Sequence, residues 1–259
     1  MNPIRRALAD GRPALGSWYS QPSAIGAELY GKAGFDWVVL DAQHGPLGLD
    51  SMIPIVQALA LGGTGVVVRV AWNDQAMIMR ALDIGAIGVI VPMVSNEEDA
   101  RRAAAATRYP PRGVRSFGPV RAAYGATDAA NDDVVCLVMI ETQEGLDQVE
   151  AIAATPGVDG LFIGPVDLGL SLGAGADLSG GHPLVRKATD TIIAAADRHG
   201  IVAGTLSFAR QQAEDLLGRG IRFLTVGSDT MHVMAGARSD LAMIAELSDR
   251  FGRATAEEA

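Results

Sequence analysis

Four short stretches of this sequence set chemically capable side chains at the ends of apolar runs: Asp41-Ala42-Gln43-His44, Arg69, Glu141, and Gly164-Pro165-Val166-Asp167. Each alone is a weak signal, because a strand-end acid often caps the next helix and a lone histidine is more often structural. Together they describe one reaction site. Glu141 and Asp167 end consecutive runs, and neighbouring strands lie about 4.8 Å apart, so both carboxylates reach a common ion. Two hard oxygen ligands with no Cys or His spacing beside them suit Mg²⁺ or Mn²⁺, with Co²⁺ as a substitute. Such an ion polarises the keto group of a 2-oxo acid and acidifies its neighbouring C–H. His44 is placed to take or relay that proton, and Arg69 to hold the enolate oxygen as charge develops. This is the chemistry of an enolising lyase.

Other uses of these residues fit less well. A glycosidase acid and base would need no metal but would leave His44 and Arg69 without a task. A Schiff-base mechanism needs a lysine at the site. The only lysines, Lys32 and Lys187, both lie in helical stretches. Cys136 opens a strand, far from the mouth that the charged ends define.

The elements that must carry these residues are legible as apolar, β-branched runs. They are 14–20, 37–41, 65–71, 88–94, 136–141, 160–164, 201–206 and 223–226. Near-continuous hydrophobicity, rather than alternation, is expected of parallel strands covered on both faces. Helical patterns lie between them at 22–33, 50–61, 74–84, 96–107, 144–154, 183–199, 209–218 and 230–247. Asp50, Asp74 and Asn96 are read as N-caps, and Gly34, Gly85 and Gly200 as helix ends. Strand and helix alternating eight times predict a closed (β/α)₈ TIM barrel spanning 1–259, with its chemistry at the C-terminal ends of the strands. Two long connections, 108–135 and 169–182, are expected at that same face. In the first, Arg112, Arg115 and Arg121 are candidates to meet an acidic substrate tail; Phe117 and Tyr124, with Trp18 from the first strand, are candidates to pack an apolar one. His182, His199 and His232 are read as structural, and Ser228 or Asp229 as the cap of the last helix.

Composition narrows the class further. The chain has 259 residues, 49% of them hydrophobic, enough for a large core. A formal net charge of −9 argues against a nucleic-acid partner. No apolar run approaches a membrane span, no secretory leader is visible, and one cysteine fits a reducing cytoplasm.

The motifs also carry a family resemblance. Phe35-Asp36-Trp37 with Asp41-Ala42-Gln43-His44-Gly45-Pro46 resembles the signature of the HpcH/HpaI aldolase family. So do Arg69-Val70-Ala71-Trp72-Asn73-Asp74, Leu82-Asp83-Ile84-Gly85-Ala86, Val91-Pro92-Met93-Val94 and Arg108-Tyr109-Pro110-Pro111-Arg112-Gly113. Ile140-Glu141-Thr142 and the block from Gly157 to Leu168 follow in order, and the likeness runs from about Gly16 to Gly236.

The resemblance implies a phosphoenolpyruvate/pyruvate-type barrel and a class II pyruvate aldolase. Such an enzyme joins a pyruvate enolate to an aldehyde, or cleaves the resulting 4-hydroxy-2-oxo acid. A related metal-enolate lyase acting on a CoA thioester or a phosphoenolpyruvate-type substrate is the runner-up. By the same resemblance His44 is the proton acceptor, Arg69 the enolate stabiliser, and Glu141 and Asp167 the metal ligands. The backbone of Gly164-Pro165-Val166 receives the pyruvyl carboxylate, with Asp41 and Trp18 beside the substrate. Asp83 is credited with raising the basicity of the histidine, a role that fits a residue brought in by a neighbouring subunit of a homohexamer, with the C-terminal helix at a subunit interface. Two positions depart from the family pattern: Gln43 stands where Glu is expected, and Met139 where Gln is expected.

Overall fold

The structure, a computed structural model, describes residues 2–118 and 127–252. Eight parallel strands close into a barrel in sequence order. They are β1 (Ala14–Tyr19), β2 (Trp37–Asp41), β3 (Gly65–Arg69), β4 (Gly88–Val91), β5 (Val135–Ile140), β6 (Gly160–Ile163), β7 (Val202–Ser207) and β8 (Phe223–Ser228). The helices are α1 (Pro3–Ala9), α2 (Ala24–Ala33), α3 (Leu49–Leu61), α4 (Gln75–Asp83), α5 (Glu97–Thr107) and α6 (Thr127–Asp133). After them come α7 (Gln143–Asp147), α8 (Val149–Ala153), α9 (Pro165–Ser171), α10 (Pro183–Arg198), α11 (Arg210–Arg219) and α12 (Asp229–Phe251). The (β/α)₈ expectation holds.

Both faces of β2 to β6 meet apolar atoms, which is why those runs do not alternate. Val38, Leu40, Val66, Val68, Val89, Val91, Val138 and Ile140 pack outward in the cluster that includes the helices. Trp37, Val39, Val67, Ile90, Leu137, Met139, Phe162 and Phe223 fill the barrel itself. The interior is close-packed: a Cβ on Gly16 would lie 2.6 Å from the Trp37 ring, so only glycine admits that indole. At the lower end, where the strands begin, α1 inserts Ile4 and Ala7 into the inner cluster as a plug. Asn2 ties this plug down through its side-chain amide, which donates to the carbonyls of Ile87 and Asp133.

Several expectations need correction. The described parts of the long connection after α5, 108–118 and 127–135, do not lie at the mouth. They follow a helix and lead into β5, so they return to the lower end of the barrel, the N-terminal side of the strands. The connection's described arginines are engaged in ion pairs. Arg108 pairs with Asp159 and donates to Gly157 O in the turn before β6, and Arg115 pairs with Asp83 at the end of α4. Within this chain, Arg115 therefore does not face the mouth, and Arg112 pairs with Asp132; Arg121 and Tyr124 lie outside the described residues. The segment read as one helix over 144–154 divides at Gln148 into α7 and α8. Gly48, not Asp50, caps α3, and Asp50 sits in its first turn. Asp74 and Asn96 cap α4 and α5 as expected, accepting from the amides of Met77 and Asp99.

The connection after β6 does lie at the mouth, but begins with a helix, α9, rather than an open loop. Its Pro165 stands at the first helical position, where a missing N–H is no loss. The last helix is unlike the others. Asp229 is the only buried residue of α12, and Leu241 and Ile244 are more than half exposed. The barrel wall it would be expected to cover is open too: Leu15 on β1 is 43% exposed and Val226 on β8 is 38% exposed. No helix among the described residues is long and apolar enough to cross a membrane.

Candidate active site

Strand alternation decides which polar side chains face inward. Asp41 follows Val39 by two residues, Arg69 follows Val67, Glu141 follows Met139 and Gly164 follows Phe162, and all four of those apolar residues fill the barrel. The four polar or small residues therefore form the next layer up, where the strands end, with Trp18 of β1 alongside.

On one side of this layer, β2 and β3 set Asp41 directly opposite Arg69 in the ladder. Arg69 donates from Nε to Asp41 Oδ1 at 2.9 Å and from Nη2 to Oδ2 at 2.6 Å, a two-point pair with both side chains about nine-tenths buried. The guanidinium also lies over the Trp18 ring, 4.8 Å from its centroid, and Trp18 Nε1 donates to Asp41 Oδ2 at 3.4 Å. Asp41 Oδ1 further accepts from the amides of Gln43 and His44, folding the chain after β2 into a tight turn. Burial pushes the Asp41 carboxyl upward, but the Arg69 hydrogen bonds and charge, helped by those two amides, outweigh it and hold the group below its ordinary value. Asp41 is thus saturated by protein donors, and it works through Arg69 and the His44 turn. His44 itself is exposed on that turn.

On the other side stands Glu141, 2% exposed. Its Oε1 accepts from the Met93 amide at 2.7 Å. Its Oε2 rests against Gly164, where a Cβ would come within 2.4 Å. Burial raises the Glu141 carboxyl; the Met93 amide opposes this, Asp167 adds to it by repulsion, and Arg69 offsets part of it by attraction. Asp167 occupies the first turn of α9 and is exposed. The Val166 and Asp167 amides open that helix, whose first internal bond is Leu168 N to Gly164 O, so neither has a partner within it.

Asp83 is not part of this constellation within the chain. It lies at the lower end of α4, with Arg115 Nη2 2.8 Å from its Oδ1 and Arg115 stacked on Tyr109. The remaining histidines are structural as read: His182 caps α10, and His199 ends it beside Glu150. His232, in the first turn of α12, pairs with the Tyr30 hydroxyl. Ser228 caps α12, as expected. Asp229 instead accepts from the Ser20 and Gln21 amides, at 3.0 and 2.8 Å, and joins the loops after β1 and β8.

One part of the site was not visible in the sequence. Met93 acts through its main chain, with φ of 56° in the left-handed region; a methionine gives no local signal for that conformation. Gly164 is expected to meet substrate through its backbone, and the structure adds its contact with the Glu141 side chain.

The chain is similar to known proteins over most of its length. Residues 15–235 match the family described as HpcH/HpaI aldolase/citrate lyase. A 5-keto-4-deoxy-D-glucarate aldolase from Citrobacter koseri is 41% identical over 237 residues, covering 88% of this chain and 90% of that protein. The one from Klebsiella pneumoniae is 41% identical over 88% of this chain and 91% of its own length. Among solved structures, an HpcH/HpaI aldolase/citrate lyase family protein from Burkholderia cenocepacia superposes with a TM-score of 0.86 at 32% identity, covering 94% of this chain and 99% of that one. Macrophomate synthase has a TM-score of 0.84 at 27% identity over 96% of this chain and 90% of its own. The closed barrel, the charged layer at its mouth and a likeness spanning most of the sequence lead to one assignment: the chain belongs to the HpcH/HpaI aldolase/citrate lyase family and is a carbon–carbon lyase of the aldolase type.

Proposed function

We propose that the enzyme is a metal-dependent class II aldolase that makes or cleaves 4-hydroxy-2-oxo acids from pyruvate and an aldehyde. The observation that carries this reading is the opposition of a locked cation and a buried acid across the barrel mouth. Arg69 is held by Asp41, while among the described residues Glu141 Oε2 accepts no hydrogen bond. The donor set fits a divalent cation. Glu141 and Asp167 repel one another, and a positive ion between them relieves that repulsion. Among the described residues no group of three or more His, Cys, Asp or Glu forms a closed cage; two carboxylates plus water and substrate leave the open positions that catalysis needs.

When bound, Mg²⁺, Mn²⁺ or Co²⁺ supplies the Lewis acidity that polarises the keto group. The protein's own residues do the rest. The free amides of Val166 and Asp167 receive the pyruvyl carboxylate at the helix opening. Gly164 and Pro165 let the substrate approach the main chain there, and Trp18 and Asp41 shape the opposite wall through Arg69. The Arg69 guanidinium, with Nε and Nη2 committed to Asp41, turns Nη1 to the negative charge that builds on the former keto oxygen. His44, on the turn that Asp41 folds, takes the methyl proton. The name of the Citrobacter relative fits this substrate class: numbered from its other end, a 5-keto-4-deoxy-D-glucarate is a 4-hydroxy-2-oxo acid.

Partners follow from α12. A 23-residue helix with an exposed apolar face, in a chain whose β8–β1 wall is also uncovered, is accounted for when α12 packs on a second copy. A homohexamer assembled this way would let Asp83, remote from His44 in its own chain, serve a neighbour's site.

Pyruvate methyl H/D exchange followed by NMR tests the central reading. Exchange is expected with Mn²⁺ or Mg²⁺ and abolished by chelator. Full exchange in metal-free protein would overturn it.

A further inference from the structure

Met93 is a non-glycine residue with a left-handed backbone, φ 56°. That region is disfavoured for any side chain with a Cβ, and such outliers persist only where the surroundings impose them. Here the chain has just left β4, and the turn aims the Met93 N–H sideways at β5, where it meets Glu141 Oε1 at 2.7 Å. The same carboxylate is confined by its neighbour in the layer. Gly164, between β6 and α9, offers only hydrogen where a Cβ would stand 2.4 Å from Oε2 and 3.0 Å from the Glu141 Cβ. Met139 Cε also lies 3.0 Å from that Cβ position, so nothing larger than glycine fits there. Among the described residues Oε2 accepts no hydrogen bond, although Glu141 is 2% exposed.

We infer that Met93 is a positioning residue: its left-handed main chain clamps one oxygen of Glu141 so that the other is presented to a divalent cation. The inference rests on the metal reading proposed above. Its content is that the main chain at 93 matters and the methionine side chain does not. An N–H fixed on a ligating carboxylate is the kind of outer partner whose loss weakens metal binding about 10–100-fold.

The test is Mn²⁺ affinity, read from the electron paramagnetic resonance signal of free Mn²⁺ titrated with whole enzyme. Wild type is expected to bind, and Glu141→Gln to lose binding. Met93→Gly and Met93→Asn tolerate the left-handed region, keep the N–H, and are expected to bind within roughly threefold of wild type. Met93→Val, β-branched and ill-suited to that region, is expected to bind about 10–100-fold more weakly. Replacing Met93 by its α-hydroxy acid deletes the N–H while keeping the side chain, and it gives the same loss even where the valine variant does not fold. Wild-type affinity in the ester variant would overturn the inference, as would equal losses in the glycine, asparagine and valine variants. A wild-type enzyme that binds no Mn²⁺ would instead overturn the metal reading, and this inference with it.

Discussion

Asp41 and Arg69 are lateral neighbours on β2 and β3, and their side chains close a two-point ion pair at 2.6 and 2.9 Å inside the barrel mouth. The relationship makes Asp41 a device for aiming Arg69. Removing one partner leaves a buried charge uncompensated, so Asp41→Ala is expected to lower stability by about 3–5 kcal/mol and to depress turnover. Urea unfolding and retro-aldol rates measure the two effects. Arg69→Lys is expected to be severely impaired, because a point ammonium cannot reproduce the planar fork. Wild-type turnover in Arg69→Lys would remove Arg69 from the reaction.

His44 lies on the turn that Asp41 folds, and it is exposed. His44→Ala is expected to slow pyruvate proton exchange by about 10²–10⁴-fold, the range for a general acid–base group. An exchange rate unchanged by that substitution would assign the proton to another acceptor.

Metal removal is expected to abolish retro-aldol cleavage, and added Mn²⁺, Mg²⁺ or Co²⁺ to restore it. Burial, with repulsion from Asp167, raises the Glu141 carboxyl despite the Met93 amide and the Arg69 charge. A proton therefore competes with the cation sooner as pH falls than it would at an ordinary carboxylate. Metal affinity measured by calorimetry across the acid range is expected to decline from a higher pH accordingly. Borohydride with pyruvate is expected to trap nothing, since Lys32 and Lys187 sit on the outer helices α2 and α10.

Gly164→Ala places a methyl group 2.4 Å from Glu141 Oε2. The carboxylate must move, and metal affinity is expected to fall at least about tenfold. A variant that binds metal as wild type would mean that Glu141 has room the packing does not show.

Deleting α12 is expected to convert the assembly to smaller species with a lower unfolding midpoint, by sedimentation and thermal melting. A wild-type protein that sediments as a monomer would defeat the proposal that α12 covers a second copy.

The strands, their parallel order and the layer of charged ends were legible in sequence because physical rules tie each to composition. Strands covered on both faces must be apolar throughout, and period two sends Asp41, Arg69 and Glu141 the same way as the core residues two positions before them. The two lysines and their helical context likewise argue against Schiff-base chemistry from the sequence alone. What the tertiary structure decided were relationships between distant segments. The arginine-rich connection was assigned to the mouth, but it follows α5, so chain direction returns Arg115 to the lower end, beside Asp83. Met93 meets Glu141 through a main-chain amide, a contact 48 residues apart in sequence that no side-chain pattern encodes. Asp229 looked like a helix cap until it was found holding the loop after β1. Local sequence reports which face and which element a residue belongs to; the closing of the barrel determines which residues from different strands share a few ångströms of space, and that is where this site is made.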